Sequence, residues 1–336
     1  MFCDALLNAK EPEEDWHKDD KDVQTVGINQ SRGNAGYLLV ECAREKQYKE
    51  EIFSTIEKIA GTASVYTRAA VLLNMAVLNF LDKKRNVELF KKLMYDFNPR
   101  LMALPVHNYN PLVYFVNYAV DDLIDFFSHA AECPECYNEQ VVILWLAWSH
   151  NNREERIKVF LEKMCDASED ARISLLNFLC TLDGKMNEDA ICYILHFMEP
   201  QYDTQKMGEV CDNLFHHADK WDDDYQLSVA EAFVASPLSK HKVTVFIEFL
   251  AGYAIKDPVQ TLKWLEQTLA NDIPDDYFIV NHVVEVLIQS YNGIKSFNDS
   301  SYQDTLEHAM DLMDTIMQNP SNKYLITNFI NKLDNE

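Results

Sequence analysis

The chain has 336 residues, of which 48% are hydrophobic, and its formal net charge at pH 7 is −24. This apolar fraction is typical of a folded protein and excludes a fully disordered one. The negative charge argues against nucleic acid and anionic membrane surfaces as partners, since both would repel the chain. We expect a protein partner that is basic or mixed in charge.

The N-terminus and the cysteines give no sign of export. Residues 1–10 lack a basic region, and Asp4 interrupts their short apolar run, so no secretory signal is predicted. The longest apolar stretch, Val141–Trp148, is far too short to span a bilayer. Eight cysteines scattered over the chain are typical of reduced thiols and not of a disulfide framework. We expect a soluble, cytoplasmic protein.

An acidic run separates a short N-terminal segment from the rest. Residues 10–22 contain seven acidic and three basic residues around one proline, which is typical of a solvated linker. Residues 1–22 are therefore predicted to form a short helix and an acidic linker, and residues 23–336 a single helical repeat domain.

The first helix of this domain is predicted over 29–45, where apolar residues recur at helical spacing. Asn29 or Ser31 can cap its N-terminus by accepting a hydrogen bond from a free backbone N–H group. Gly33 and Gly36 lie within this helix, although a helical glycine costs roughly 1 kcal/mol relative to alanine. We therefore expect a neighbouring helix to pack closely against them.

Helices are predicted for most of the remaining chain, because only 8 glycines occur and apolar residues keep the helical period. Ser64 is the predicted cap of a helix over 65–81 that is apolar almost all round and is expected to be buried. Asp257 and Pro258 form a strong start signal for another helix. The other predicted helices cover 48–60, 87–97, 112–131, 139–150, 153–165, 168–182, 187–198, 204–218, 223–236, 240–255, 275–291, 300–318 and 321–333. The chain is expected to be all-α, with about fifteen helices and no strands.

A polar residue recurs in the first turn of several apolar helices. Arg68 follows Arg32 by 36 residues, Gln140 follows Arg68 by 72, and Arg172 follows Gln140 by 32. A period in the mid-thirties with two helices per period is typical of an α-solenoid built from antiparallel helix pairs of the HEAT or tetratricopeptide type. This is the predicted architecture.

Nucleotide-binding and catalytic signatures are missing from the sequence. Gly184 and Lys185 are followed by Met186, with no glycine cradle before them, and no G-x-G-x-x-G motif occurs. No local signature for a Ser or Cys nucleophile occurs either. We expect no enzyme activity and no cofactor.

One cysteine pair has the spacing of metal ligands. Cys133 and Cys136 form a C-x-x-C motif, and His129 and His150 can complete a set of four zinc ligands. A structural zinc site usually shows a second clear ligand pair, which is missing here. The pair is therefore interpreted either as part of a metal site or as ordinary cysteines in a loop.

Three tyrosines are candidates for contact with a partner. Tyr109, Tyr114 and Tyr118 can line a groove, because exposed tyrosines are frequent anchors of protein interfaces. The alternative is that they belong to the core.

A motif at the start of the domain resembles a known family. Ile28, Asn29, Arg32, Gly33 and Ala35 match the I-N-S-V-R-G-x-A segment in the C-terminal helical-repeat region of bacterial STAND-type NTPases, including the antiviral Avs proteins. Gln30 and Ser31 replace the usual Ser and Val. Arg68 lies in a Val-Tyr-Thr-Arg-Ala stretch similar to the corresponding step of the next repeat. The resemblance covers most of residues 22–320.

In that family, an effector and an NTPase precede the repeats, and the repeats recognise a foreign protein. The resemblance implies that this chain is a detached sensor module whose partner is a phage protein or an NTPase encoded nearby. It also implies that the matching residues shape the first repeat and do not contact the target. Two alternatives stay open: a general scaffold or adaptor solenoid, and a small metal-binding protein that uses Cys133 and Cys136.

Overall fold

The computed structural model describes residues 2–10, 22–105, 111–182, 188–270, 277–297 and 299–318, together with residues 322, 324 and 327. These residues form helices and turns, and none of them forms a strand. The protein is therefore all-α, as predicted. Several predictions lie outside the described residues, namely those for the acidic run over 11–21, Tyr109, the Gly184–Met186 stretch and most of the helix over 321–333.

The chain divides into two compact units, Met1–Leu175 and Leu176–Glu336. In the first unit the α-helices are α1 (Phe2–Asn8), α2 (Val23–Ile28), α3 (Ser31–Glu41), α4 (Lys49–Ile59), α5 (Val65–Asn74), α6 (Lys83–Leu93), α7 (Pro99–Met102), α8 (Pro111–Phe115), α9 (Val120–Ala130), α10 (Tyr137–His150) and α11 (Glu155–Ala167). Helix α12 (Glu169–Cys180) includes the boundary. In the second unit they are α13 (Glu188–His196), α14 (Gln205–Leu214), α15 (Asp223–Ala235), α16 (Thr244–Tyr253), α17 (Pro258–Leu269), α18 (Tyr277–Ser296) and α19 (Gln303–Met317). The single repeat domain over 23–336 and the solenoid stacking stay predictions.

Glycines hold α2, α3 and α5 in very close contact. A Cβ atom added at Gly33 would lie 2.0 Å from the carbonyl oxygen of Gly27, and one added at Gly27 would lie 2.1 Å from the carbonyl oxygen of Tyr66. At Gly36 the added atom would lie 2.8 Å from a methyl group of Val71. The close approach expected at Gly33 and Gly36 is therefore confirmed, and it is an approach of backbone to backbone at Gly33.

The capping predictions have mixed outcomes. Ser64 accepts a hydrogen bond from the backbone N–H of Thr67, and Asp257 accepts one from Gln260, as expected. At the first helix of the domain, predicted over 29–45, the capping prediction was wrong, because an additional helix, α2, precedes α3 and ends at Ile28. Asn29 is the C-cap residue of α2, while Ser31 is the first residue of α3 and makes no side-chain cap.

Buried or half-buried polar side chains in the first turn of several helices donate to carbonyl groups at the ends of other helices. Gln140 donates to the carbonyl of Met102, the last residue of α7, over 2.6 Å. Asn86 donates over 3.0 Å to the carbonyl of Met75, the C-cap residue of α5. Arg172 donates to the carbonyl of Cys165 in the last turn of α11. Because terminal helix carbonyls have no partner within their own helix, these contacts fix where one helix ends against the next.

Arg68 is the most buried charged group of this kind, with 3% of the residue exposed. Its Nη1 donates to the carbonyl of Leu93, at the end of α6, and both terminal nitrogens donate to the Asp96 carboxylate at 2.8 and 2.9 Å. The hydrogen bond from Arg68 lowers the pKa of Asp96. The pair therefore stabilises the fold above the ordinary carboxyl pKa, and this contribution is lost as the pH falls through the lowered value.

Replacing Gly33 by alanine is expected to destabilise the protein by about 3 kcal/mol or more, because the new methyl group overlaps the Gly27 carbonyl. Urea unfolding followed by circular dichroism measures this. Gly252→Ala is the control, since nothing lies within 4 Å of an added Cβ atom there. It should stabilise helix α16 by up to about 1 kcal/mol. Equal unfolding free energies for the two variants would contradict the close contact between Gly33 and the Gly27 carbonyl.

Replacing Arg68 by alanine is expected to cost about 2–4 kcal/mol, because the Leu93 carbonyl and the Asp96 carboxylate both lose their partner. In a double-mutant cycle, Asp96→Ala should cost much less when Arg68 is already alanine. Arg156→Ala is the matched control, since its ion pair with Asp121 lies on the surface and should be worth less than about 1 kcal/mol. An Arg68→Ala cost no larger than the control would show that the buried pair is unimportant.

Candidate protein-binding surface

Phe80 is 83% exposed, the largest value among the exposed large hydrophobic residues of the described chain. It ends a 3₁₀ helix, Met75–Phe80, which continues directly from α5. A 3₁₀ helix has three residues per turn, so the side chains are rotated away from the positions that an α-helix would give them. Leu78 stays buried, but Phe80 points to solvent. The expectation that the helix over 65–81 is buried throughout is therefore wrong at this end.

Two tyrosines, one in α8 and one in the turn that follows it, lie close to this 3₁₀ helix. Tyr118 donates a 2.6 Å hydrogen bond to the side-chain oxygen of Asn79, the neighbour of Phe80. Tyr118 and Tyr114 are 38% and 43% exposed, although burial of part of the Tyr118 ring raises its pKa to about 12. Tyr114 belongs to α8, which contacts the 3₁₀ helix. These are two of the three tyrosines that the sequence marked as possible contacts.

A basic helix begins next to the aromatic rings. The Lys83 ammonium lies 5.0 Å from the centre of the Tyr118 ring, within the range of a cation–π interaction. Lys83 is the first residue of α6 and is exposed, as is Lys84. Helix α6 has five basic residues and one acidic residue, in a chain whose net charge is −24. We call Phe80, Lys83, Tyr114 and Tyr118 the Phe80 surface.

The side chains of this surface are suited to contact with another molecule. Its members are exposed aromatic rings and one lysine, which provide apolar contact area, a hydroxyl group and a positive charge. Aromatic residues with a polar tip are enriched among the residues that carry most of the energy in protein interfaces.

The cysteines of the candidate metal site are buried, and each thiol has a neighbour within its own turn. The Cys136 thiol donates to the carbonyl of Cys133 over 3.1 Å, and the Cys133 thiol donates to the Glu135 carboxylate over 3.3 Å. Burial raises the pKa of both thiols, which opposes the thiolate form that binds zinc. Cys133 is the N-cap residue and Cys136 the last residue of a 3₁₀ turn, Pro134–Cys136, which replaces the predicted loop.

The two histidines assigned to that site have other surroundings. The His129 ring stacks on Phe97 with ring centres 3.7 Å apart, and its Nδ1 lies 2.7 Å from the carbonyl oxygen of Asp125. His150 is the exposed last residue of α10. Within the part of the chain that the structure describes, no three His, Cys, Asp or Glu side chains are grouped to hold a metal ion.

The family-motif residues lie at the contact of α2, α3 and α5. Gly33 and Ala35 are buried, Ile28 and Arg32 are half-buried, and Asn29 is exposed. The sixth motif residue, Arg68, is buried in α5 as described above. All six lie outside the Phe80 surface. Their structural role in the first repeat stays a prediction.

Sequence reasoning identified Tyr114 and Tyr118 but missed Phe80 and Lys83. The helical period assigns Phe80 to a buried helix, and only the change to 3₁₀ geometry exposes it. A weak signal was present, because Asp82 is a good N-cap residue and predicts that a new helix starts directly after Phe80.

The fold and this surface define an all-helical protein with an exposed aromatic patch. A scan against protein-family models and searches of curated proteins and solved structures found no match. None of the described helices has the length and apolar character required to cross a bilayer.

Thiol reactivity tests the surroundings of the cysteines. Cys192 is exposed, whereas Cys136, Cys165 and Cys211 are buried with raised pKa values. At neutral pH, a chromogenic disulfide reagent should therefore modify Cys192 in the fastest phase, and Cys192→Ser should remove that phase. One equivalent of zinc should leave all rates unchanged. The metal-binding alternative would be favoured if zinc protected two thiols from the reagent and Cys133→Ser abolished this protection.

Proposed function

We propose that this chain is a non-enzymatic protein-binding module of the cytoplasm, and that its helices form a repeat array similar to the sensor region of STAND-type NTPases. The single observation that carries protein binding is the Phe80 surface. An almost fully exposed phenylalanine, flanked by tyrosines and a lysine, is costly to leave in water and is well suited to insertion into a partner. The sensor role rests on the motif that includes Asn29, Arg32 and Gly33.

The target that follows from this proposal is a foreign protein, such as a phage protein, with an NTPase encoded nearby as the partner that transmits the signal. A general scaffold would use the same surface for a protein of the cell itself. Phage infection therefore distinguishes the sensor from the scaffold, because only a sensor should bind an additional protein in infected cells.

The test is co-purification of the full chain from bacteria with and without phage infection, followed by identification of the bound protein and measurement of its affinity with purified components. Phe80→Ser should weaken binding by about 30-fold, equivalent to about 2 kcal/mol for an interface anchor. It should leave the unfolding free energy within about 0.5 kcal/mol of the original value, since Phe80 has few contacts to lose.

Tyr48→Ser is the matched control, because Tyr48 is an exposed aromatic residue of the same unit that lies outside the Phe80 surface. Its affinity should stay within twofold of the original. If Phe80→Ser and Tyr48→Ser lowered the affinity for the partner equally, the Phe80 surface would not be the binding site. Recovery of nucleic acid or a small metabolite in place of a protein would overturn the proposed function itself.

A further inference from the structure

The second unit contains a groove with an aromatic floor. It has a volume of about 330 Å³ and lies between the 3₁₀ helix Phe215–Lys220, α15 and α16. Its floor is formed by Phe215, Phe249 and Tyr253. The Phe249 ring centre lies 5.1 Å from that of Phe215 and 5.4 Å from that of Tyr253, so the three rings form a continuous apolar surface.

One wall of the groove is a glycine with nothing packed against it. Gly252 lies in the last turn of α16 and is exposed. At each of the other described helical glycines, which are Gly27, Gly33, Gly36, Gly208 and Gly293, an added Cβ atom would lie within 3.0 Å of another part of the chain. At Gly252 it would meet nothing within 4 Å. Packing within the chain therefore explains the other glycines, whereas Gly252 keeps space open above the aromatic floor.

Acidic and basic side chains both line the rim of the groove. Asp219 and Glu248 line it beside the exposed His216, and Glu248 lies 3.3 Å from the His282 imidazole. Exposed Asp222, Asp223 and Asp224 follow Asp219 closely in the sequence. Lys256 also lines the groove, but its ammonium donates to Asp223 over 2.7 Å. A cationic ligand would be attracted by these carboxylates, and an anionic one would be repelled.

A fixed polar group lies at one end of the groove. Gln226 is 4% exposed, and its amide nitrogen donates to the carbonyls of Ala218 and Trp221 at 2.8 and 3.0 Å. Its oxygen accepts a 3.2 Å hydrogen bond from Lys256. The end of the groove is thus held rigid before any ligand arrives, which lowers the entropic cost of binding.

From these observations we infer that the groove binds a peptide segment of a protein partner, in which an apolar side chain lies on Phe215 and Phe249 while a flanking lysine or arginine contacts Asp219 and Glu248. The volume suits one large side chain with its adjoining backbone. The bare backbone at Gly252 permits the close approach of the peptide main chain. This inference rests on the proposed function, because it assigns a partner segment to a protein-binding module.

The test is selection of a random twelve-residue peptide library on the immobilised full chain, followed by fluorescence anisotropy with the enriched peptides. These peptides should contain a large apolar residue next to lysine or arginine. Gly252→Trp should weaken their binding by at least tenfold, because the indole fills the groove. Gly61→Trp is the control for a bulky residue at an open glycine, and it should bind as the original chain does.

Charge reversal tests the carboxylates of the rim separately. Asp219→Lys should weaken binding several-fold, and more strongly at low salt than at high salt, because the contact is a surface charge interaction. Asp314→Lys, an equal change of charge on the exposed face of α19, should have an effect of less than twofold. Circular dichroism unfolding of all variants checks that each one folds.

Three outcomes would overturn the inference: no enriched peptide sequence, enrichment of acidic peptides, or unchanged binding by a folded Gly252→Trp variant. The groove and the proposed function fail in different ways. If Gly252→Trp binds the purified protein partner with full affinity while Phe80→Ser does not, only the groove is wrong. If the full chain binds no protein partner, the proposed function itself is wrong.

Discussion

The interaction on which much of the structure depends is the contact of a first-turn polar side chain with the terminal carbonyls of another helix. A helix leaves its last carbonyl groups without intrahelical partners, and burying them unpaired is costly. Arg68, Asn86, Gln140, Arg172 and Gln226 are each the fourth residue of their helix, and each donates to a carbonyl in the last turn of another helix or directly after it. A polar side chain at the fourth helical position can therefore provide a hydrogen bond to the end of a neighbouring helix in an apolar environment.

The contacts of these polar side chains and the contacts at the glycines have different structural effects. The polar side chains determine where helices end against each other, whereas Gly27 and Gly33 determine how closely α2, α3 and α5 approach. In the second unit, Asp212 has a related role, because its buried carboxylate accepts hydrogen bonds from the backbone N–H groups of Val245 and Phe246 at the start of α16. The floor of the groove depends on this cap, since α16 also carries Phe249.

The Phe80 surface and the groove of the second unit have different chemistry. The Phe80 surface carries a highly exposed phenylalanine and two partly exposed tyrosines, one of them beside a lysine. The groove of the second unit has an aromatic floor instead, and acidic and basic side chains both line its rim.

The sequence alone determined the helical class, since apolar spacing and the low glycine content favour helices and exclude strands. It also located Arg68, Gln140 and Arg172 as equivalent first-turn positions and Gly33 and Gly36 as sites of close packing. These features depend on local spacing and on residue size, which a sequence displays directly. Asn86 and Gln226 share the same role but were not recognised, because a buried amide resembles a solvated one in the sequence.

Only the tertiary structure decided which apolar residues are exposed. Phe80 follows the period of a buried helix, yet the change from α to 3₁₀ geometry after Asn74 turns it towards solvent. Cys133 and Cys136 have metal-ligand spacing, but the burial of their thiols depends on surrounding helices that no motif specifies. The groove beside Gly252 likewise depends on packing. Three elements meet there, and none of their side chains fills the space beside this glycine. Exposure is a property of the packed chain, so a local pattern predicts it only where the helix continues with its regular period.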